Sequence, residues 1–368
     1  MNNQKIIEHI SNFLHSRGYM CQEGLIENLY LSLKSKPFLI LDGTGGAERY
    51  SFVKLVCESI GITSKNGNFK LISPGGICDK FFNHMGNINN DGVFYPGEIF
   101  SFVIKAFRDP EKPYVLYIDD LNLVNPDEYL RYILRAMDTA RTCKSGKLTS
   151  EPFFNPDVFK NDYEKETYGS ITYPENLYVI CSICKDETCH CVSSRIKERA
   201  NIIELTSDSF KPLHGNQKKC DVLEDIGNDF LKSEFATVSH YDEKTADILN
   251  EINNILKQCG NEFGHNTANE IMLYVITNRK LKLLDEDEAF DNCISQRILT
   301  KIEGCEHKYK NILPLLFKQC VTKGVGDYYA NSLKMYRALS YPDSRYKKSA
   351  GKIALITRII EENGYCAF

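Results

Sequence analysis

The sequence predicts an α/β layer built on a parallel sheet, followed by an all-helical portion. Three observations carry that expectation. Wholly apolar runs at residues 38–41 and 114–118, and a run at 177–183 broken only by Ser182, have the length and continuity of strands covered on both faces. Between them lie stretches whose apolar residues recur three and four apart, the spacing of one helix face. From Asp225 onward the pattern is helical, with no further strand-like run.

The chain has 368 residues, room for two domains at about 150 residues each. The expected division is an N-terminal helical segment at 1–34, an α/β core at 35–210 and a helical portion at 211–368. An apolar fraction of 42% and a charged fraction of 26% exclude a disordered, collagen-like or coiled-coil chain. A net charge of −4 gives no global electrostatic reason to bind nucleic acid. No stretch approaches the ~18 apolar residues of a membrane span. Residues 1–17 lack the apolar run of a signal peptide, so a cytoplasmic location is expected. In that setting the 14 cysteines are expected to be thiols, not a disulfide framework.

The elements follow in order. Ile6, Ile7, Ile10, Phe13 and Leu14 mark a helix over 4–17, and Leu25, Leu29 and Leu33 a second over 24–34. The run Phe38-Leu39-Ile40-Leu41 ends in Gly43-Thr44-Gly45-Gly46, and Phe52, Val53, Val56 and Ile60 then mark another helix. Residues 68–73 predict a strand, 97–108 a helix, 114–118 a strand closing on Asp119-Asp120, and 126–142 one long helix. Residues 143–175 read as an irregular insertion with room for a hairpin. Strands are expected at 177–183 and 202–205, and a linker at 211–222. Helices are expected at 225–236, 243–258, 266–284, 289–302, 310–323 and 347–363.

Strand, glycines, helix is the layout that cradles phosphate, because backbone N–H groups and the helix N-terminus point at the anion. The working pattern is G-x-x-x-x-G-K-[ST]. Here Gly43 keeps the first glycine and Gly46 lies inside the loop, but Glu48, Arg49 and Tyr50 occupy the last three positions. Glu48 sets a carboxylate against a polyphosphate. Arg49 keeps the charge on a bulkier planar head. Tyr50 is too large to replace a compact Mg²⁺-binding hydroxyl. The motif alone is equally well explained as a glycine-rich turn.

A second motif adds to this. Residues 114–123 (YVLYIDDLNL), residues 176–188 (NLYVICSICKDET) and residues 195–204 (RIKERANIIE) follow KPFLIL at 36–41. In this order and spacing they resemble the McrB-type AAA+ NTPases, the ring motors of modified-cytosine restriction systems and related defence proteins. Residues 263–270 (FGHNTANE), 289–291 (AFD), 296–304 (QRILTKIEG), 341–344 and 364–368 extend the resemblance through the helical portion. It implies a P-loop NTPase core of AAA+ type, a three-layer structure with a parallel sheet, followed by a helical lid and a C-terminal helical extension.

The departures from the family pattern bear on function. Asp120 stands where the family has its catalytic Glu, one methylene shorter and poorly placed as a base. Cys184 stands at the sensor Asn, and Asn266 at a later sensor Arg. Asp119, Asn122 and Arg199 are kept. The resemblance makes Arg199 the arginine finger that acts on a neighbour's γ-phosphate. The expectation is therefore a degenerate, catalytically inactive subunit of a ring, structural or regulatory, with Arg199 working in trans. Its implied partners are homologous AAA+ subunits or an McrC-like or nuclease protein, in defence against foreign DNA. No cofactor is expected, or ATP or GTP with Mg²⁺ where residual binding persists. The alternatives are a slow ATP or GTP hydrolase that drives remodelling or DNA translocation, with Arg49 holding phosphate, and a scaffold for a non-nucleotide ligand or another protein.

Other constellations weigh less. Cys181, Cys184, Cys189, His190 and Cys191 include zinc-ligand types. Period-two alternation puts 181 and 184 on opposite faces, an objection that weakens if the strand stops before 184. A nuclease-type metal site at Asp119-Asp120 lacks a second acidic or Lys element. The basic clusters Lys218-Lys219, Lys280/Lys282 and Arg345/Lys347/Lys348 read as solvated surface.

Overall fold

In the computed structural model the described residues are 2–43, 46–74, 84–143, 146–185, 189–205, 220–237, 241–321, 331–340 and 344–366. The chain divides into two compact units. One comprises Met1–Ser193 and Ile203–Val238, the other Ser194–Ile202 and Ser239–Phe368.

The first unit is built on a five-stranded sheet: β1 (Phe38–Gly43), β2 (Phe69–Ile72), β3 (Tyr114–Ile118), β4 (Leu177–Ile183) and β5 (Asn201–Leu205). The strands lie in the order β2-β3-β4-β1-β5. β2 with β3, β3 with β4, and β4 with β1 pair in parallel. The three apolar runs are the three inner strands, and every residue of β1 and β3 is buried. The expected α/β layer on a parallel sheet is thus present, with helical structure following it. Because β4 lies between β1 and β3, the carboxyl ends of all three open on one edge. Gly43, Asp119-Asp120 and Cys184 arrive there together, at the end of a parallel sheet where ligands bind in α/β folds.

Helices cover the sheet. α1 (Asn3–Ser16) buries Ile6, Ile7, Ile10, Phe13 and Leu14, as its periodicity predicts. α2 (Leu25–Ser35), α3 (Gly46–Ser59) and α4 (Glu98–Arg108) follow the same logic. Asn176 joins α4 to the sheet: its amide donates to the carbonyls of Ala106, Asp109 and Lys112.

Two helix expectations give way here, and the hairpin allowed for in the insertion is present. The single helix over 126–142 is two, Pro126–Tyr129 and Arg131–Asp138. The Thr139 hydroxyl turns back onto the carbonyls of Arg135 and Ala136, the side-chain competition that ends helices. The insertion holds a hairpin (Arg141–Thr142 with Leu148–Thr149) and a helix (Asp162–Tyr168). It also has a core of its own, where Phe153, Phe154, Phe159 and Tyr168 join Phe94 and Phe100 at ring separations of 4.9–6.2 Å. The helix expected at 225–236 is absent apart from a short turn at Asn228–Phe230. Asp225 takes a left-handed φ of 64°. The segment spends its hydrogen-bonding groups on the sheet unit instead, with Leu223 N–H on Ser59, Asn228 N–H on Glu111 and Ser233 Oγ on Lys34. The expected linker at 211–222 lies, through 219, outside the described residues.

The second unit is helical: α5 (Glu243–Lys257), α6 (His265–Leu281), α7 (Glu286–Cys293), α8 (Ile312–Cys320), α9 (Ser332–Leu339) and α10 (Lys347–Asn363). The helix expected at 289–302 loses α-geometry after Cys293. It widens to a π-turn at Ile294–Ile298 and tightens to a 3₁₀ turn at Leu299–Lys301. In that stretch Arg297 is 1% exposed. It forms an ion pair with Glu270 of α6 and donates to the Ala200 carbonyl at 2.6 Å.

Burial, reinforced by the nearby Arg297 charge, pushes the Lys301 ammonium down to about 8 from 10.5. A lysine depressed on folding costs stability while both states are charged, and the cost fades where only the unfolded state still holds the proton. Lys301→Met is therefore expected to stabilise the protein at pH 7 by roughly 2–3 kcal/mol. The advantage should decline from pH 8 and be gone above pH 10.5. Urea titrations of both proteins across that range check it, and a pH-independent difference would refute it.

Candidate functional site

The site is built from the carboxyl ends of β1, β3 and β4 and the first turns of α3. Gly43 closes β1; a Cβ there would stand 2.7 Å from the Leu205 carbonyl of β5. The close strand explains this glycine without a ligand. Gly46 opens α3, and residues 44–45 between them lie outside the described residues. On α3, Glu48 is exposed. Its charge adds to burial in pushing the Tyr19 phenol up to about 12. Tyr50 packs its ring 5.7 Å from that of Tyr117, and the Lys54 ammonium stands 5.8 Å from the centre of the Tyr50 ring. The phenol is absorbed in aromatic packing, not held as a Mg²⁺ ligand.

Arg49 is the centre of the arrangement. Its side chain is 3% exposed. One Nη donates to the Gly43 carbonyl and the other pairs with Asp120 Oδ1 at 2.9 Å. Its Nε has no hydrogen-bond partner among the described residues. Asp120 has a left-handed φ of 47°, which an aspartate tolerates better than most side chains. The Asp120 N–H donates to Ser182 Oγ at 2.8 Å, and the Ser182 hydroxyl donates to Asp119 Oδ1 at 2.7 Å. The Tyr117 hydroxyl donates to the same oxygen at 3.3 Å. Burial, with the Asp119 charge beside it, holds that phenol well above its ordinary range.

Asn122 and Cys184 are joined through the backbone of Cys184. The Asn122 amide donates to the Cys184 carbonyl at 2.8 Å, and the Cys184 N–H donates to Asn122 Oδ1 at 2.9 Å. The Asn122 carbonyl accepts from the His190 N–H at 2.8 Å. Asn122 is thus a clamp on the chain leaving β4. β4 ends at Ile183, so the alternation argument separating Cys181 from Cys184 does not apply: Cys181 is buried in the strand and Cys184 lies beyond it. Among the described residues no group of three His, Cys, Asp or Glu side chains is placed to hold a metal ion.

Gly43, Arg49, Asp119, Asp120, Asn122 and Cys184 therefore converge, while Glu48 is exposed and Tyr50 packs on Tyr117, whose hydroxyl reaches Asp119. Arg199 belongs to the helical unit, half-buried, with one Nη donating to the Arg195 carbonyl at 2.8 Å. Its segment is fastened there by Lys197 on Glu303 and by Arg297 on Ala200. Two participants escape the sequence reading. Ser182 bridges Asp119 and Asp120, and Asp42, 5% exposed, pairs with Lys185 at 3.0 Å. A carboxylate inside an otherwise apolar strand end was the available signal for Asp42. A Mg²⁺-nucleotide fits this set poorly: Arg49, where a phosphate-binding Lys was expected, is already paired with Asp120, and Tyr50 stands where a small hydroxyl was expected.

Residues 217–365 match a family model described as a domain of unknown function (DUF8727). No curated protein matches the sequence. Among solved structures, a provisionally assigned ATPase from Cytophaga hutchinsonii is similar at 12% identity, with 80% of this chain and 84% of that chain covered and a TM-score of 0.47. NtrX from Brucella abortus is similar at 13% identity and a TM-score of 0.28, covering 81% of this chain and 54% of that one. Among the described residues no helix is long and apolar enough to cross a membrane.

Proposed function

We propose that this protein is a degenerate AAA+ subunit of McrB type whose own nucleotide site is closed from within, and that it serves a ring of homologous ATPase subunits structurally or as a regulator. The observation that carries the reading is the Arg49 guanidinium bridging the Gly43 carbonyl and the Asp120 carboxylate. A triphosphate would have to win that buried guanidinium from a carboxylate already hydrogen-bonded to it, the Arg49 side chain being 3% and the Asp120 side chain 30% exposed. Moving Arg49 aside would strand Asp120 against the phosphates, a like-charge contact. Hydrolysis loses its cation and its base together.

Arg199 is the residue this reading puts to use. Fixed on the helical unit and only half-buried, it serves a neighbouring subunit's γ-phosphate in trans, where an arginine stabilises the charge of the transition state. The partners are intact AAA+ subunits, with an McrC-like or other nuclease downstream, in defence against foreign DNA. The test mixes the protein with an intact McrB-type AAA+ ATPase and measures turnover. Arg199→Ala is expected to lower the stimulated rate about tenfold or more, given what a finger contributes. Equal rates with wild type and variant would refute the role in trans.

A further inference from the structure

We propose that Cys184 and Cys189 form a disulfide with each other under oxidising conditions, which makes the carboxyl end of β4 a site of reversible covalent modification. The proposal is independent of how the nucleotide site is read. The two sulfurs stand 2.6 Å apart. Two thiolates on one tetrahedral zinc would stand about 3.8 Å apart, given a Zn–S distance of about 2.3 Å. A shared ion therefore does not explain the approach, and no third ligand is in place among the described residues.

The backbone explains it. Asn122 holds the Cys184 N–H and carbonyl with its side chain and the His190 N–H with its carbonyl. Both ends of the 184–189 stretch are thus tied to one residue, and the folding of the unit has already met the entropy of bringing the two thiols together. Both cysteines are half-buried, so a small oxidant reaches them. Cys181, three residues before Cys184, is fully enclosed, and burial raises its thiol far above the ordinary range, which leaves it protonated and a poor nucleophile.

With hydrogen peroxide as oxidant, one thiolate attacks a peroxide oxygen, the O–O bond breaks, and a sulfenic acid and water result. The second sulfur then attacks the sulfenic sulfur and expels the oxygen as a second water. Two thiols lose two protons and two electrons, and one peroxide is reduced to two waters. A thiol reductant reverses the step.

The full chain is treated with peroxide, its remaining thiols are alkylated, and it is digested with trypsin. Cleavage after Lys185 separates the peptide 166–185, which carries Cys184, from 186–195, which carries Cys189. The expected result is a dithiothreitol-sensitive cross-link between these peptides, with fragment ions placing it at 184 and 189. It should vanish in Cys184→Ser and in Cys189→Ser and persist in Cys191→Ser. Absence of the cross-link in the wild type would overturn the proposal, whatever the variants do. So would fragment ions placing it at Cys181 or Cys191, or its persistence in Cys184→Ser.

Discussion

Glu270→Ala is expected to destabilise the protein by about 3–5 kcal/mol, the largest loss among the substitutions considered. Glu270 and Arg297 side chains are 7% and 2% exposed. Removing the carboxylate leaves a guanidinium that cannot shed its proton and has no water around it. The Ala200 carbonyl still accepts from one Nη, but a neutral carbonyl does not balance a charge. The cost has a distinctive remedy. Replacing both partners by apolar residues, as in Glu270→Leu with Arg297→Met, is expected to recover most of the loss, because a buried pair is seldom worth more than good packing. Denaturant titrations of the single and double variants check both statements. A loss under about 1 kcal/mol in Glu270→Ala would mean the pair is not the anchor of the α6 and π-turn region.

The second large effect concerns the nucleotide site. The combined variant Glu48→Gly, Arg49→Lys, Tyr50→Thr and Asp120→Glu restores the glycine-loop pattern at three positions and the acidic motif's Glu at the fourth. It is expected to bind ATP with Mg²⁺ at least about tenfold more tightly than wild type, a change of about 1.4 kcal/mol. Glycine lets the backbone approach phosphate, Lys replaces a guanidinium committed to Asp120, Thr supplies a small oxygen ligand, and Glu extends the base by one methylene. Arg49→Lys alone should do little, since Asp120 would still claim the cation. A fluorescent-nucleotide titration checks this. A combined variant that binds no better than wild type would place the block elsewhere in the loop.

Much of this was legible in the sequence because the inner strands of a parallel sheet are covered on both faces and read as near-continuous apolar runs. Phe38–Leu41, Tyr114–Ile118 and Leu177–Ile183 could therefore be read directly, and with them the three strand ends that make the site. Residues 225–236 could not: Phe230 and Leu231 are buried against the sheet unit, so a helix-like apolar spacing there reflects docking of an irregular segment. The change to π and 3₁₀ pitch after Cys293 is likewise invisible to a 3.6-residue pattern, yet it accompanies the burial of Arg297. At the site, the substitutions at 48–50 and 120 were plain, but not that Arg49 and Asp120, 71 residues apart, satisfy each other. Two departures from a motif read separately as two losses; together they are one ion pair.

The most direct test of the closed site is a calorimetric titration of ATP and GTP, each with Mg²⁺, into the intact protein. The predicted result is no saturable heat up to nucleotide concentrations of about 1 mM, which bounds binding to weaker than about −4 kcal/mol. Saturable micromolar binding, with turnover that Asp119→Ala abolishes, would contradict the account and identify a working NTPase.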